Sequence, residues 1–194
     1  MKKKIGILGG TFNPPHIGHL IIADQVLHSF QLDEIWFMPN HLPPHKQLNI
    51  RIANEDRQKM IELAIDNCSY FKIETIEIER LGKSYTYDTM LLLKEREPNV
   101  EFYFIIGGDM VEYLPKWYNI DQLIKLVQFI GVNRPHYSLQ TTYPIKTVEI
   151  PSIDISSSII RDKLKKGESI NYYLPDKVIQ FIREKGLYGC KSSN

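Results

Sequence analysis

Residues 4–19 read KIGILGGTFNPPHIGH, and this stretch decides the fold. It opens with a short apolar run that Gly9 and Gly10 end, as in a buried strand that enters a tight turn. Apolar residues then recur at helical spacing over residues 20–30. The stretch therefore predicts a strand, a glycine turn and a helix that begins at about His19.

The rest of the chain repeats this alternation. Apolar runs predict further strands at residues 35–38, 102–106, 129–132 and 147–150, and another at Phe71 and Ile73 with Ile76 and Ile78 as candidates for its continuation. Helical spacing and stop signals predict helices at residues 60–65, from Asp88 to just before Pro98, at residues 123–127, from the serines at 156–158 to Gly167, and from Pro175 to Gly186. The expected fold is therefore α/β: a Rossmann-like, doubly wound, mainly parallel sheet with helices on both faces.

The predicted sheet also indicates where the functional site lies. In doubly wound sheets, ligands bind beyond the carboxyl ends of the strands, where the strand order reverses. We therefore expect the site in the loops after Leu8, Met38, Ile106 and Ile150. The 194 residues contain no internal repeat or linker, so a single domain over 1–194 is expected.

Composition narrows the function classes. Basic residues number 24 and acidic residues 23, a formal charge of +1, so no global positive field favours a nucleic-acid partner. The two cysteines, Cys68 and Cys190, are far apart, which argues against a disulfide framework or a zinc knuckle. The apolar run after the lysines at 2–4 is too short for a signal peptide, and no run is long enough to cross a bilayer. We expect a cytoplasmic protein without a membrane partner.

The first loop carries residue types that bind phosphate groups. Gly9 and Gly10 let backbone N–H groups approach a phosphate closely, because neither residue has a Cβ. His16 and His19 are three residues apart at a helix start, where their imidazoles and the helix N-terminus can meet phosphoryl oxygens. Two alternatives stay open on the residues alone: a purely structural histidine pair, and a zinc site, although neither H-E-x-x-H spacing nor a cysteine cluster is present.

A second candidate site lies near the other end of the chain, where residues 155–161 read ISSSIIR. Three hydroxyls, with Arg161 one turn later, would surround a helix N-terminus and suit a polyphosphate. The serines could equally be helix caps, and Arg161 could be a solvated surface charge.

Together these two motifs resemble the nucleotidyltransferases that share an H-I-G-H signature with class I aminoacyl-tRNA synthetases. Within that superfamily, essentially the whole chain is similar to the bacterial nicotinate-nucleotide adenylyltransferases. Four further segments agree with that family in the same order: PPHK at 43–46, SYTYDT at 84–89, IGGD at 106–109 and PKWY at 115–118. Either end motif alone indicates only the superfamily, whereas the full set is specific.

The resemblance implies a role for each matched residue. ATP would lie on Gly9, Gly10, Thr11, Phe12, His16, His19, Gly107, Asp109, Ser156, Ser157 and Arg161, of which His16, His19 and Arg161 would be catalytic. Nicotinate mononucleotide, the acceptor, would lie on Asn40, Lys46, Thr86, Trp117 and Tyr118. In this scheme His19 stabilises the α-phosphate, Asp109 holds the ribose and Lys46 binds the acceptor's phosphate. Trp117 would stack on the pyridine ring, and Thr86 and the backbone near Tyr118 would recognise the carboxylate.

Residue chemistry leaves alternatives for three of these positions. The pattern by itself favours a core position for Trp117, allows Asp109 to cap the next helix, and allows Lys46 to be a solvated side chain. Two other positions depart from the family pattern. Asn13 stands where aspartate is common, which keeps the turn geometry but removes a charge, and Ser158 stands where threonine is usual.

The implied reaction is a direct in-line transfer of the adenylyl group of ATP, as part of NAD biosynthesis. The acceptor's phosphate is already anionic, so no general base is needed, and catalysis rests on positioning and electrostatics. The resemblance implies Mg²⁺ as cofactor, held by substrate and water without a protein metal cluster. Nicotinamide mononucleotide and phosphopantetheine stay open as acceptors. A non-catalytic nucleotide-binding module is the alternative to an enzyme, and a homodimer stays open. A tRNA synthetase is disfavoured, because the chain is too short for an anticodon-binding domain and has neither K-M-S-K-S nor a basic face.

Overall fold

The structure is a computed structural model, and it describes residues 2–43, 52–133, 137, 139–151 and 153–190. Its strands are β1 (Lys3–Gly10), β2 (Glu34–Pro39), β3 (Phe71–Ile73), β4 (Val100–Gly107), β5 (Gln128–Val132) and β6 (Ile145–Val148). Its α-helices are α1 (Ile17–Phe30), α2 (Asn54–Ile65), α3 (Ile76–Arg80), α4 (Thr86–Arg96), α5 (Gly108–Tyr113), α6 (Ile120–Leu126), α7 (Ser157–Lys166) and α8 (Asp176–Glu184). Short 3-10 helices lie at Leu114–Lys116 and Leu187–Gly189.

All six strands form one parallel sheet in the order β3-β2-β1-β4-β5-β6. The chain leaves β1 towards β2 on one side and later returns to β4 on the other side. The strand order therefore reverses between β1 and β4, where a doubly wound sheet binds its ligands. The register pairs Gly10 with Pro39 and Leu8 with Ile105, so the turns after β1 and β2 begin side by side.

Helices cover both faces of the sheet, as predicted. One face carries an apolar cluster that includes Leu27 of α1 and Ile61 of α2, and the other carries a cluster with Met90 of α4 and Leu123 of α6. A third cluster joins α2 to α7, α8 and the C-terminal 3-10 helix. The C-terminal helices therefore pack on α2, at the edge of the site.

Several predicted boundaries were wrong. Ile76 and Ile78 do not extend β3 but lie in α3, because the Glu74 carboxylate accepts the Ile76 N–H at 3.0 Å and turns the backbone away from the sheet. Strand β6 covers Ile145–Val148 instead of 147–150, since pairing with β5 stops where Val132 meets Val148. Helix α4 begins at Thr86, two residues before the predicted start.

Two observations bear on the chain-level expectations. Cys68 and Cys190 are both free thiols. Within the described residues, none of the helices has the length and apolarity that crossing a bilayer requires.

Candidate active site

The turn after β1 is tightly packed around one aromatic ring. Phe12 is buried, its φ is +49°, and its ring lies 4.9 Å from the His19 ring in an edge-on contact. A Cβ on Gly10 would lie 3.1 Å from the Phe12 ring, so any larger residue would have to push the ring aside by a few tenths of an ångström. The signature glycine thus has a packing role as well as the backbone exposure predicted from sequence.

His16 and His19 form a stacked pair at the start of α1. Their ring centroids are 3.7 Å apart, and His16 is the N-cap residue of the helix. The backbone N–H of His16 donates to His19 Nδ1 at 3.1 Å. A ring nitrogen that accepts a hydrogen bond carries no proton, so this contact places the proton of a neutral His19 on Nε2. His19 is therefore set to donate from Nε2.

The serine–arginine turn meets this first turn in space. Ser157 Oγ donates to the Pro14 carbonyl oxygen at 2.8 Å, across 143 residues of sequence. Arg161 Nη1 donates to the Asn13 carbonyl oxygen at 2.8 Å, across 148 residues. The two motifs that sequence analysis assigned to one triphosphate are thus neighbours, at the carboxyl end of β1.

Each serine of the second turn has a different contact. Ser156 is the N-cap of α7 and accepts from the Ile159 N–H at 3.3 Å, which confirms the capping alternative for this residue. Ser157 bonds to Pro14, and Ser158 accepts from Arg161 Nη2 at 3.1 Å. Arg161 is held at both ends of its guanidinium fork, so it is an ordered part of the turn and not a solvated charge.

A shallow, partly open cleft lies beside the histidines. It is lined by His16, Gly18, Ile22, Asn133, Ile150, Ile153 and Ile155. A Cβ on Gly18 would lie 3.0 Å from His16 Nδ1, so glycine keeps this wall of the cleft free. The apolar lining beyond β5 and β6 suits a flat ring such as adenine.

The predicted ribose ligands lie at the end of β4. Gly107 is the last residue of β4 and the N-cap of α5, and Asp109 lies in the first turn of that helix. The alternative that Asp109 caps the helix is therefore wrong, because Gly107 holds the cap position. Asp109 instead places a negative charge near the positive end of the helix dipole.

The acceptor side is rich in aromatic rings. The Tyr118 ring lies 4.9 Å from Tyr85 and 6.2 Å from Tyr87, which brings it next to Thr86, the first residue of α4. Trp117 packs edge-on against core rings, 5.9 Å from Phe104 and 6.0 Å from Phe129.

The structure bears differently on three of the predicted acceptor residues. The contacts of Trp117 agree with the core position that its residue pattern favours. Asn40 follows β2 and donates from Nδ2 to Thr11 Oγ1 at 3.4 Å. Lys46 lies outside the described residues, as do the neighbouring positions 44–51.

Two residues that contact the site were missed from sequence. Tyr188, in the C-terminal 3-10 helix, donates its hydroxyl to Asn13 Oδ1 at 2.7 Å, and burial raises the pKa of Tyr188. Arg57 of α2 donates to the Thr11 carbonyl oxygen at 2.8 Å, and burial lowers the pKa of its guanidinium. Neither belongs to a recognisable motif. The only available signal for Tyr188 was an aromatic residue between two glycines near the C-terminus, and Arg57 lies in a polar stretch that gave no signal.

The donors gathered around the first turn are imidazole, hydroxyl and guanidinium groups. Such groups suit anionic phosphate oxygens, whereas Mg²⁺ takes oxygen ligands from carboxylates, phosphates and water. Within the described ranges there is no group of three or more His, Cys, Asp or Glu residues that could hold a metal ion.

Comparison with known proteins gives first the broad family. A family model described as cytidylyltransferase-like matches residues 7–163, and the chain belongs to this family. Two bacterial relatives narrow the assignment. A Bacillus cytotoxicus protein named probable nicotinate-nucleotide adenylyltransferase is 56% identical over 186 residues, which cover 96% of this chain and 98% of the relative. A protein of the same name from Geobacillus thermodenitrificans is 56% identical over 190 residues, 98% of this chain and 88% of the relative. Within the broad family, the chain is a nicotinate-nucleotide adenylyltransferase family member.

Two solved structures of a Plasmodium falciparum nicotinic acid mononucleotide adenylyltransferase share the fold. The structure complexed with APC has a TM-score of 0.82 at 26% identity. The match covers 98% of this chain and 100% of the Plasmodium chain. The structure complexed with NaAD has a TM-score of 0.81 at 28% identity, with the same coverage of 98% and 100%. The predicted Rossmann-like nucleotidyltransferase fold is confirmed.

Proposed function

We propose that this chain transfers the adenylyl group of ATP to nicotinate mononucleotide, which yields nicotinate adenine dinucleotide and pyrophosphate in NAD biosynthesis. The bacterial relatives at 56% identity carry the name of this activity. A Plasmodium falciparum enzyme of the same fold has been solved with NaAD. The observation that carries the proposal is the meeting of the two end motifs, through Ser157 on Pro14 and Arg161 on Asn13.

In the proposed reaction, the first turn and the second turn hold one triphosphate between them. His19 donates its Nε2–H to an oxygen of the α-phosphate, where negative charge grows in the transition state. Arg161, with Ser156 and Ser157, holds the β- and γ-phosphates. Asp109 binds the ribose beside Gly107, and adenine fills the cleft next to Gly18.

The chemical step is a direct displacement. An oxygen of the acceptor's phosphate attacks the α-phosphorus of ATP, the bond from that phosphorus to the bridging oxygen breaks, and pyrophosphate leaves with the electron pair. The attacking phosphate is already anionic at neutral pH, so the protein needs no general base. Its contribution is alignment of the two phosphates and stabilisation of developing charge.

The acceptor is proposed to lie between Asn40, Thr86 and Tyr118, with its phosphate on Lys46 and its pyridine ring near Trp117. Mg²⁺ is part of the proposal: substrate phosphates and water would hold the ion, and it would supply charge neutralisation for the leaving pyrophosphate. The histidine and arginine side chains of the two turns act on the remaining phosphate oxygens.

Three expectations about the whole protein stay predictions: a single domain over 1–194, a cytoplasmic location and a homodimer. Light scattering would measure the oligomeric state.

The acceptor assignment is tested by pyrophosphate release from ATP and Mg²⁺. Nicotinate mononucleotide, nicotinamide mononucleotide and phosphopantetheine are supplied in parallel. We expect release to be fastest with nicotinate mononucleotide and the product to be nicotinate adenine dinucleotide. Release with phosphopantetheine alone would overturn the assignment, and no release with any acceptor would favour a non-catalytic module.

The role of His19 is tested with His19→Ala. Loss of one preorganised donor to the transition state typically lowers kcat by about 10²- to 10³-fold. His28→Ala on the same helix is the matched control, because the His28 side chain is 65% exposed and its contacts are with Asp24 and the Tyr70 ring, outside the proposed site. Near-normal turnover in His19→Ala, with His28→Ala unchanged, would refute the proposed role.

A further inference from the structure

Arg57 joins the two loops that the proposed function assigns to the two substrates. It lies in α2, and its side chain is buried, with 2% of the residue exposed. Nη1 donates to the Thr11 carbonyl oxygen at 2.8 Å, and Nη2 donates to the Asn40 carbonyl oxygen at 2.7 Å. Thr11 belongs to the ATP turn after β1, and Asn40 begins the acceptor loop after β2.

The two loops also touch each other at this point. The backbone N–H of Asn40 donates to the Gly10 carbonyl oxygen at 2.9 Å, and Asn40 Nδ2 donates to Thr11 Oγ1 at 3.4 Å. The loops leave adjacent parallel strands, in register at Gly10 and Pro39. The two loops are therefore joined both directly and through the guanidinium of Arg57.

The Arg57 side chain is itself held in place. Asn54, one turn earlier on α2, accepts from Arg57 Nη2 at 2.6 Å, and its amide nitrogen contacts His41 Nδ1 at 2.9 Å. The guanidinium is thus anchored to its own helix while it binds both loops. This geometry needs a planar fork, which lysine cannot reproduce from a single ammonium group.

Arg57 carries a positive charge, although a neutral donor would be enough to hydrogen-bond carbonyl oxygens. In the described part of the chain, its three hydrogen bonds go to the neutral oxygens of Thr11, Asn40 and Asn54. A buried cation without a hydrogen-bonded carboxylate is costly, and the Glu55 carboxylate offsets this cost only in part, because burial still holds the pKa of Arg57 below its ordinary value. Its positive field acts on the turn that receives the ATP phosphates, where anionic oxygens would compensate it.

We propose that Arg57 is a positioning residue that fixes the ATP turn relative to the acceptor loop, and so aligns the acceptor's phosphate with the α-phosphorus. The proposal rests on the proposed function, because it needs ATP and the acceptor to lie on these two loops. A purely structural arginine would affect folding alone. A positioning arginine affects the KM values of both substrates.

The test compares Arg57→Gln, Arg57→Lys and the wild type by steady-state kinetics, each with its melting temperature. Misplacement of reacting groups by about 1 Å costs about 10²-fold in rate, so we expect kcat/KM to fall by about 10- to 100-fold in Arg57→Gln. KM should rise for ATP and for nicotinate mononucleotide together. Arg57→Lys, which keeps the charge and one donor direction, should recover part of the loss.

Lys59→Gln is the matched control, since Lys59 lies on the same helix, is exposed and pairs with Glu62. Lys59→Gln should leave kcat/KM, both KM values and the melting temperature unchanged. A lower melting temperature with both KM values unchanged would overturn the proposal, and so would an effect confined to one substrate. If Arg57→Gln does not fold, Asn54→Ala gives the same test, because it removes the group that orients the guanidinium.

Failure of the proposed function is recognised separately. A wild type that forms no nicotinate adenine dinucleotide refutes that function. Arg57 is then tested by calorimetry with a non-hydrolysable ATP analogue. Binding about 10-fold weaker in Arg57→Gln supports positioning of the ATP turn, and equal binding overturns it.

Discussion

Replacement of Tyr188 by phenylalanine isolates the contact that ties the C-terminus to the catalytic turn. The substitution removes one buried hydrogen bond, from the Tyr188 hydroxyl to Asn13 Oδ1 at 2.7 Å, and leaves the ring in the third core cluster. A buried hydrogen bond between neutral groups contributes about 1–1.5 kcal/mol. For a chain of this size, each kcal/mol lowers Tm by about 2–4 °C, so we expect a fall of about 2–6 °C.

Turnover should fall as well, because the same Asn13 carries Arg161 on its carbonyl oxygen. A loosened Asn13 lets the guanidinium shift relative to the triphosphate. We expect kcat to fall by about 3- to 10-fold, less than for loss of a direct contact. The assay is thermal unfolding together with pyrophosphate release at saturating substrates.

Tyr172→Phe is the control, because Tyr172 is 90% exposed and the chemical change is identical. It should change stability by less than about 0.5 kcal/mol. A double-mutant cycle with Asn13→Ala measures the contact itself, with an expected coupling of about 1 kcal/mol. Equal Tm values for Tyr188→Phe and the wild type, or zero coupling in the cycle, would refute this account of the C-terminus.

Three further predictions follow from the site and its surroundings. Arg161→Lys should lower kcat by about 10²-fold, because one ammonium cannot bond both Asn13 and Ser158; pyrophosphate release checks this, and a loss below threefold would contradict it. Gly18→Ala should lower kcat, because the new Cβ would lie 3.0 Å from His16 Nδ1 and would displace that ring. Unchanged kcat would disprove that crowding. Burial raises the pKa of Glu77 above its ordinary value of 4.5, because the folded protein favours the protonated carboxyl. The protonated carboxyl therefore stabilises the fold below pH 4.5, and this stabilisation is lost as pH rises through the raised pKa. Glu77→Gln should therefore gain stability relative to the wild type in urea unfolding as pH rises, and a pH-independent difference would rule this out.

The elements that could be predicted from sequence are those with a clear local pattern of apolar residues, glycines and caps. Residues 5–8 form an apolar run, glycines follow at 9 and 10, and apolar residues recur at helical spacing over residues 20–30. The strand, the turn and the helix could therefore each be predicted from sequence. The helix from the serines to Gly167 also ended as predicted, with Gly167 at φ +69° as its C-cap. Motif residues at these turns were therefore recognised as site candidates.

Helix α2 shows why other residues were missed. Its first half reads NEDRQK at residues 54–59, which is a polar pattern without an apolar stripe, so the helix was predicted only from Met60. Arg57 in that segment looks like a solvated charge. Only the fold reveals that its side chain points inwards, to carbonyl oxygens from two other strands' turns. Backbone acceptors leave no trace in the sequence.

The geometry of the catalytic turn belongs to the complete fold and not to its own segment. Ser157, Arg161 and Tyr188 all donate to residues 13 and 14, and the carbonyl oxygen of Tyr173 accepts the N–H of Ile17 at 2.9 Å. These contacts come from the last elements of the chain, so the turn acquires its final shape only when those elements dock. The same contacts hold Arg161, which is proposed to bind phosphate, against the turn that carries the histidines. The site is therefore complete only in the whole fold. The glycine–histidine motif alone could indicate a phosphate ligand, but it could not reveal the residues that hold the motif in place.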